Sequence, residues 1–555
     1  MQNKQSSALA AHLAECDTRY SSEYQMIGRS WSSPGYHTRV PDGVWVHPTR
    51  DSLEYALALL IAGGEANNAR AAGIVRKVVS LQDADPTHAT YGIWSWLMEE
   101  SLTEMAPPDW NWADFLGALL AQMLVDHVGQ LPADLAGAMR ISLGHAAWAI
   151  FRRNVGPSYT NIAVMGGCVA AAAGEILDEP RLTEYGRRRL SNIVAHAEYH
   201  GGFNEYNSPT YTMVVVRECE RALQLLEDSA ARAHAQSLLT MAWRTIAEHY
   251  HPATGQWAGP HSRAYSDLLN EDTRTSLLIG AGLVENDGSV LQLIIPQPCP
   301  ADVAERFRLL PGPEVETVRS FIRSDEVYGS RSGTTWLADD VCLGSVAYED
   351  FWTQRRCLIG YWRLPAGPPA VLRMRFLHDG RDFASAAGHH VQARNRVLSG
   401  LGLLTNRGDW HVHLDRPDDG VFVAEDLRVR YELVAEGASV RQVAEECFEM
   451  TAGEYRAMVH PAAGLFVDRA VRWVCGEDEG KAYVDGIYYH GEPKGFDLSA
   501  VSRVQVGAAL EVLAPGEVAI ASPPTWQVGT EEPAELSWPG AALALSVPIR
   551  AHESH

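Results

Sequence analysis

The sequence predicts a multidomain α+β protein, with an N-terminal α/α toroid of helical hairpins followed by a C-terminal antiparallel β-sandwich. Three observations lead to this prediction. Apolar residues recur at helical spacing in the first half, they alternate with polar residues in the second half, and prolines crowd the segment between the halves. We therefore predict a toroid over residues 1–290, a proline-rich linker over 291–316 and a sandwich over 317–555.

Successive stretches of the first half carry an apolar stripe with helical periodicity and are predicted to be helices. Short connections containing Pro, Gly or Asp join them, as in helical hairpins. Because no repeat of fixed length is visible, a closed toroid is favoured over a solenoid. The predicted helices are 52–63, 66–81, 112–128, 134–152, 158–177, 181–197, 208–226, 230–250 and 273–282.

The prolines between residues 296 and 313 exclude a long helix in the linker. Beyond them, valines and aromatic residues alternate with polar residues, and Gly and Asp turns separate these runs. This pattern is typical of antiparallel strands. The predicted strands are 334–348, 357–363, 371–377, 421–433, 464–474 and 504–513.

Charge and cysteine content narrow the function classes. The sequence has 46 Lys and Arg against 69 Asp and Glu, a net charge of −23, which argues against a nucleic-acid or membrane partner. The 8 cysteines are scattered without a CxxC pair, as expected in a reducing compartment. Since neither a signal peptide nor a membrane-spanning run is evident, we expect a cytoplasmic protein and leave a homo-oligomer open.

The segment 201–211, GGFNEYNSPTY, is a polar, aromatic loop that leads into a predicted helix. Asn207 or Ser208 is placed to cap that helix. A cap needs only one such residue, so the crowding of Glu205, Asn207 and Tyr211 favours a wall for a polar ligand over an elaborate cap. In the first helical turn, Tyr211 would lie near the positive end of the helix dipole, which favours the phenolate.

A second motif, GPHSRAY at 259–265, contains His261, Arg263 and Tyr265. If the stretch is extended, alternation places the three side chains on one face, where they suit carboxylate recognition and proton transfer. An ordinary surface loop is the alternative. Asn161, in the motif YTNI, falls near another helix start, where it could also be a capping amide.

Together with the order of helices and strands, Asn161, Tyr211 and the motif 259–265 resemble the toroid-plus-β-sandwich polysaccharide lyases, the heparinase II/III-like and alginate-lyase-like superfamily. The resemblance implies β-elimination on a uronic-acid-containing oligo- or polysaccharide. It implies that Asn161 and Arg263 hold the carboxylate and that Tyr211 and His261 move protons. Tyr265 would assist or replace Tyr211.

The chemistry explains these residue types. Removing the proton next to a carboxylate creates a dianion, so amide or guanidinium donors must neutralise the carboxylate as charge develops. A Tyr or His takes the proton, and a Tyr can return one to the leaving oxygen. No cofactor or metal is required.

Two other functions stay open. A toroid glycoside hydrolase would use Glu205 as the acid, with Asp109, Glu99 or Glu100 as the second carboxylate. A carbohydrate-binding module would bind oligosaccharide without forming a product. In any of these, Trp94, Trp96 and Asn111 are candidates for a sugar groove, although core packing of the tryptophans is as good an interpretation.

The second half contains several histidines that could bind a ligand. His378 could project into a substrate cleft. Two His residues and an Asp that would share one strand face, together with an adjacent His pair, are weak candidates for a structural Zn or Ca site, and a solvated face is the favoured alternative. These residues are His411, His413, Asp415, His389 and His390.

Overall fold

The computed structural model describes residues 2–286, 289, 292, 294–410, 420–527 and 532–554. They form two compact units between which the chain alternates. The helical unit comprises residues 1–198, 211–244 and 271–304, and the strand unit comprises residues 199–210, 245–270 and 305–555. The predicted division into three successive segments stays a prediction.

The helices occupy the first part of the chain, and the predicted fold class is confirmed. The helices are α1 Gln2–Arg19, α2 Thr49–Ala62, α3 Glu65–Val79, α4 Trp112–Asp126, α5 Ala133–Arg153, α6 Thr160–Leu177, α7 Pro180–His200, α8 Tyr211–Leu225, α9 Ser229–His249, α10 Glu271–Gly280 and α11 Ala301–Ala304. The last residues of α7 and α9 belong to the strand unit.

The helices of the helical unit pack in two layers. Helices α2, α4, α6 and α8 form an inner row in which α2 contacts α4, α4 contacts α6 and α8, and α6 contacts α8. Helices α3 and α5 pack outside this row, α3 on α2 and α5 on α4 and α6. Helices that follow one another through hairpins run antiparallel, so alternate helices run in one direction and begin at one end of the unit. This is the arrangement of an α/α toroid.

Helix α6 is the most apolar of the inner row. By length and composition Thr160–Leu177 could cross a membrane, with a mean hydropathy of 1.4, but 83% of the stretch is buried inside the protein. An apolar helix surrounded by other helices is typical of a protein core. We therefore assign α6 to the core of the helical unit.

The strand unit contains two nine-stranded antiparallel sheets. Their strands are β7 Glu314–Ile322, β8 Arg331–Ala338, β9 Val341–Val346, β10 Tyr348–Asp350, β11 Leu358–Trp362, β12 Ala370–His378, β13 Arg381–Asp382, β14 Ala386–Ala393, β15 Arg396–Leu403, β16 Val421–Val434, β17 Ser439–Ala444, β18 Cys447–Ala452, β19 Tyr455–Pro461, β20 Leu465–Phe466, β21 Arg469–Ala470, β22 Arg472–Asp478, β23 Lys481–Asp497 and β24 Val504–Leu513. One sheet has the order β10-β14-β15-β24-β19-β18-β17, with β20 paired to β24 and β21 paired to β20. The other sheet has the order β22-β23-β16-β12-β11-β9-β8-β7, with β13 paired to β12.

Shorter strands complete the unit and the first part of the chain. A three-stranded sheet near the C-terminus packs its Leu536 and Trp538 against Leu398 and Ala509 of a nine-stranded sheet. The remaining strands are β1 Tyr20–Ser21, β2 Met26–Ile27, β3 Arg29–Ser30, β4 Trp45–Val46, β5 Tyr250–His251, β6 Gln256–Trp257, β25 Thr525–Trp526, β26 Ala534–Trp538 and β27 Leu543–Val547.

The two nine-stranded sheets enclose one hydrophobic core. Trp362 and Phe376 come from one sheet, and Phe448 and Leu510 come from the other. All four side chains are at most 1% exposed. Burying each side chain of this size contributes about 1.5–3 kcal/mol, so the core holds the two sheets face to face as the predicted sandwich.

One segment of the strand unit that precedes its sheets in the chain packs closely against them. The segment 256–265 makes paired backbone hydrogen bonds between His261 and Arg356, an isolated bridge just before β11. It lies so close to the sheet that a Cβ atom on Gly344 would lie within 1.9 Å of the Gly259 carbonyl oxygen. Only glycine at 344 permits this approach.

Candidate functional site

Four side chains with candidate functions stand at the N-terminal ends of the inner helices. Arg50 is the second residue of α2, Trp112 the first of α4, Asn161 the second of α6 and Tyr211 the first of α8. Since these helices begin at one end of the helical unit, the four residues belong to the same end. The unpaired N–H groups and the dipoles of the four helices make this end favourable for negative charge.

The helical unit contains a cavity of about 790 Å³, whose wall includes Arg50 and one side of α1. Met165 of α6 and Glu218 of α8 line it. Asn161 lies one helical turn before Met165, and Tyr211 lies two turns before Glu218. Neither side chain lines the cavity, and Asn161 is 0% exposed. The volume is within the range of about 300–1,000 Å³ that is usual for ligand sites.

Arginines and carboxylates line much of this cavity. Arg50 lies 2.9 Å from Glu54, and Arg217 lies 3.1 Å from Glu218. Arg221 pairs with the same Glu218 and donates to Gln122 at 3.1 Å. Arg19, Glu15, Asp51 and Asp272 also line the cavity, so its wall carries four arginines and five carboxylates.

The pKa values follow from this packing. Burial by itself raises the pKa of Glu218. Arg221 and Arg217 lower this pKa by more than burial raises it, so the carboxylate stays ionised. Burial also lowers the pKa of Arg217, against the attraction of Glu218. Arg50, Arg217 and Arg221 are therefore all paired with carboxylates at the wall of this cavity.

A row of half-buried rings leads to the cavity. We call Tyr36, His37, Trp96, Trp112 and Phe115 the aromatic row. The Trp96 ring lies 5.2 Å from His37, 6.3 Å from Tyr36 and 5.2 Å from Trp112, and Trp112 lies 5.5 Å from Phe115, between ring centroids. Phe115 itself lines the cavity. Rows of this kind bind sugar rings through their C–H faces.

Hydrogen bonds hold the aromatic row in place. The Trp96 indole donates to Asp109 at 3.1 Å, and the Trp112 indole donates to the Thr49 hydroxyl at 3.0 Å. Asn111 is half-buried beside them; its amide donates to the Tyr159 hydroxyl at 3.2 Å and accepts from Arg153 at 2.7 Å. Fixed rings lose little conformational freedom on binding, which favours affinity.

Trp94 lies elsewhere. Its side chain is 0% exposed, and its indole donates to the Val78 carbonyl at 2.9 Å. An indole with no exposed surface packs in the core. Trp94 therefore serves the fold, and we leave it out of the proposed site.

Arg263 is held on three sides within the strand unit. Its guanidinium lies 3.3 Å from the Glu205 carboxylate and donates to Gln354 at 2.9 Å. It also lies over the Trp352 ring, 4.8 Å from its centroid. A guanidinium between a carboxylate and an indole is fixed in orientation. Glu205 and Arg263 are therefore partners in this structure, and contact of either with a ligand stays a prediction.

Asn207 is the hydrogen-bonding centre of its loop. It has a left-handed backbone with φ of 43°, and its amide donates to the carbonyls of Ala258 and Pro260 at 2.8 Å each. Its side-chain oxygen accepts from the Trp257 indole. The Asn207 side chain therefore joins the segments 201–210 and 256–265, and its predicted contact with a ligand stays a prediction.

The imidazole of His261 faces the backbone. Its Nδ1 lies 2.7 Å from the Asn207 carbonyl oxygen, and the side chain is 2% exposed. Burial lowers the pKa of His261 to about 4. The ring is therefore neutral at pH 7, with Nδ1–H donating to Asn207. Tyr265, by contrast, is 56% exposed.

His378 is fixed by two contacts of the strand unit. Its Nδ1 lies 2.7 Å from Asp409, and its Nε2 lies 2.9 Å from the Val423 carbonyl oxygen. Burial lowers the pKa of His378, but Asp409 raises it more, so the net shift is upward. The role of His378 at a ligand stays a prediction.

The carboxylates considered for hydrolysis already accept hydrogen bonds. Asp109 accepts from Trp96 and from the backbone N–H of Asn111, and Glu100 accepts from the backbone N–H of Arg39 at 2.6 Å. Glu99 contacts His47 at 2.5 Å. These bonds give each of the three carboxylates a structural function.

Three of the five residues of the predicted metal site lie in a segment that the structure does not describe. His411, His413 and Asp415 lie outside the described residues. His390 is described, and burial lowers its pKa to about 3 while its Nδ1 lies 2.9 Å from the Ser399 hydroxyl. Among the residues that the structure describes, no three His, Cys, Asp or Glu side chains are grouped to hold a metal ion.

The structure thus brings the predicted residues together in two groups. In the helical unit, Asn161 and Tyr211 share the end that carries Trp96 and Asn111. In the strand unit, the segments with Glu205, Asn207, His261 and Arg263 are bonded to each other. The cavity arginines were missed by the sequence analysis. Their one sequence signal is the motif Arg217-Glu218-Cys219-Glu220-Arg221, in which charged residues interrupt an apolar stripe.

Two layers of helices and two facing sheets define a toroid-plus-sandwich protein. Residues 22–292 match a family profile described as "Domain of unknown function (DUF8769)". No curated protein matches the chain.

Among solved structures, heparinase III is similar with a TM-score of 0.48 and 10% identity, over 98% of this chain and 91% of that chain. The chondroitin AC lyase of Streptomyces coelicolor A3 is similar with a TM-score of 0.35 and 10% identity, over 92% and 96%. A heparan sulfate lyase mutant of Pedobacter heparinus gives 0.34 and 10%, over 98% and 94%. The fold assignment rests on the helices and sheets themselves.

Proposed function

We propose that this chain is a lyase that cleaves a uronic-acid-containing oligo- or polysaccharide by β-elimination. One observation carries the proposal: an aromatic row ends at an arginine-lined cavity, at the helix ends that carry Asn161 and Tyr211. Sugar rings stack on aromatic faces, and carboxylates pair with guanidinium groups. An acidic glycan is the ligand that uses both features.

The local cations matter because the chain as a whole is acidic. A net charge of −23 repels an anionic glycan at long range. Any attraction must therefore come from individual guanidinium groups of the cavity wall, which also carries carboxylates. We propose that Arg50, Arg217 and Arg221 contact the acidic groups of the glycan.

Tyr211 is the proposed proton carrier. Its phenolate oxygen takes the proton from the carbon next to the uronate carboxylate, and the electrons of that bond form a carbon–carbon double bond. The bond from the neighbouring carbon to the glycosidic oxygen breaks, and the Tyr211 phenol returns its proton to the leaving oxygen. The N-terminus of α8 favours the phenolate that starts the reaction.

Asn161 is the proposed partner of the carboxylate. Its amide stands in the first turn of α6 and is buried, one helical turn before Met165 of the cavity wall. As the proton leaves, negative charge builds on the carboxylate oxygens, and a fixed amide donor stabilises that charge. The dipole of α6 acts in the same direction.

The predicted roles of His261, Arg263 and Tyr265 are carried forward as proposals. His261 is neutral at pH 7, so it keeps a basic nitrogen for proton transfer. Arg263 has a fixed guanidinium that suits a second carboxylate contact, and the exposed phenol of Tyr265 is accessible to a ligand. A cytoplasmic location and independence from metals also stay predictions, tested by cell fractionation and by metal analysis of the purified protein.

The experiment that tests the function is a screen of acidic glycans, each paired with its carboxyl-reduced form. The paired glycans share linkages and differ in the uronate carboxylate alone. Elimination predicts ultraviolet-absorbing products whose masses sum to that of the acidic glycan, with no product from the reduced form. A mass gain of one water identifies a hydrolase, and binding without product identifies a binding module.

A further inference from the structure

Three side chains of the strand unit lie in a line across neighbouring strands. Cys447 is on β18, His460 on β19 and Glu511 on β24, and β19 pairs with both of the other strands. The Cys447 Sγ lies 3.5 Å from His460 Nδ1, and His460 Nε2 lies 3.0 Å from a Glu511 carboxylate oxygen. A thiol, an imidazole and a carboxylate in this order are the elements of an activated nucleophile.

His460 and Glu511 are buried and held in place by their contacts. His460 is 2% exposed and Glu511 is 0% exposed, and the Trp538 ring lies 5.6 Å from the imidazole. Glu511 also accepts from the backbone N–H of Ile520 at 2.8 Å and from Arg396 at 3.3 Å. These bonds hold the carboxylate so that it orients the imidazole.

The protonation of His460 follows from its neighbours. Burial alone lowers the pKa of His460, but Cys447 and Glu511 raise it to about 9. At pH 7 both ring nitrogens therefore carry hydrogen, and Nδ1–H points toward the sulfur. An adjacent imidazolium stabilises a thiolate, which is the reactive form of cysteine.

We propose that Cys447 is a nucleophilic thiol and the position at which this chain is covalently modified by small electrophiles. Cys447 is half-buried, whereas its partners His460 and Glu511 are buried. In the reaction the thiol proton resides on His460, and the sulfur forms a bond to the electrophilic carbon. The leaving group departs with the electrons of its own bond.

The acidic residues near Cys447 differ in whether arginines compensate their charge. Glu445 and Glu446 precede it in the chain and oppose a thiolate. Glu449, two residues further along the strand, is compensated by Arg441 at 2.5 Å and Arg456 at 3.1 Å.

Other thiols of the chain have different surroundings. Burial raises the pKa of Cys299 and of Cys342 to about 12, which keeps both as unreactive thiols at pH 7. Cys475, on β22, is half-buried like Cys447. It is therefore the matched internal control for accessibility.

The test is alkylation of the folded, full-length chain by iodoacetamide, with each thiol followed by peptide mass mapping. At pH 7 we expect Cys447 to react about tenfold faster than Cys475, because the imidazolium beside its sulfur stabilises the thiolate. In His460→Gln the Cys447 rate should fall about tenfold at pH 7 and rise with pH as an ordinary thiol does.

Circular dichroism and thermal melting establish whether His460→Gln folds. If it does not, the comparison of Cys447 with Cys475 in the wild-type chain decides alone. A Cys447 rate equal to that of Cys475 would overturn the proposal. An unchanged rate in a folded His460→Gln chain would overturn it as well.

Discussion

The guanidinium of Arg50 lies over the ring of Phe115, 4.5 Å from its centroid. This contact joins the two parts of the proposed site, because Phe115 ends the aromatic row and Arg50 pairs with Glu54 at the cavity. A glycan that stacks on the row would therefore meet a cation at the row's inner end.

Removal of a ring from the aromatic row should weaken glycan binding. We expect Trp96→Ala to raise the dissociation constant of a substrate about five- to tenfold, because one stacking surface is lost. The matched control is Trp45→Ala, since Trp45 is 56% exposed and lies outside the row. Titration calorimetry with an acidic glycan measures both. Equal losses in the two variants would contradict a role for the row.

Removal of the shared carboxylate should destabilise the helical unit. Glu218→Gln leaves Arg217 and Arg221 buried with one anion fewer, and we expect a loss of about 3–5 kcal/mol in the free energy of unfolding. Arg76→Gln breaks a pair whose side chains are 54% and 69% exposed, and it should cost less than about 1 kcal/mol. Urea unfolding compares the two. Similar costs would show that the cavity charges are well solvated.

Asp114 should make stability depend on pH. Burial raises the pKa of Asp114 to about 7, against the opposing effect of Arg189. Because this pKa lies above the ordinary carboxyl value, the folded chain binds more protons than the unfolded chain between about pH 4 and about pH 7. The stability contributed by the protonated group is therefore full at low pH and is lost as the pH rises through that window.

Asp114→Asn removes this loss. We expect the variant to melt at a higher temperature than the wild type at pH 8 and to melt close to the wild type at pH 4, as measured by calorimetry. Asp134→Asn changes an exposed carboxylate and should give no such gain at pH 8. A shift of equal size at both pH values would contradict the assignment.

Loss of the Asn207 side chain should loosen the loop that it joins. Asn207→Ala leaves two carbonyls and one indole N–H without their partner and puts alanine in a left-handed backbone. We expect a cost of about 3 kcal/mol. Asn67→Ala removes one hydrogen bond, to the Gly63 carbonyl, and should cost about 1 kcal/mol. Chemical denaturation of the two variants measures the difference.

The sequence predicts a helix or strand well where a single periodicity extends over the whole element. The predicted strand 504–513 coincides with β24, and the predicted strand 371–377 lies within β12. The predicted strand 334–348 is instead split between β8 and β9, because the turn at residues 339–340 reverses the chain. Alternation continues through such a tight turn, so periodicity alone does not reveal it.

The start of α8 was predicted three residues too early. The expected cap at Ser208 donates its hydroxyl to the Arg263 carbonyl at 2.7 Å, and α8 begins at Tyr211. The left-handed backbone of Asn207 and its bonds to a distant segment set this boundary. Contacts of that kind depend on tertiary structure, which local sequence does not contain.

The cavity was beyond sequence analysis for the same reason. Arg50 and Arg217 are far apart in the chain and line one cavity because the inner helices pack side by side. Asn161 and Tyr211 could be chosen from the sequence because each stands beside a helix start, where the signals are local.

The central claim is tested most directly by the turnover of Tyr211→Phe on the best acidic glycan. The phenol is the proposed proton carrier, so we expect the rate of elimination to fall by about 10²- to 10⁴-fold while the melting temperature stays close to that of the wild type. A Tyr211→Phe chain that folds and keeps its elimination rate would contradict the account.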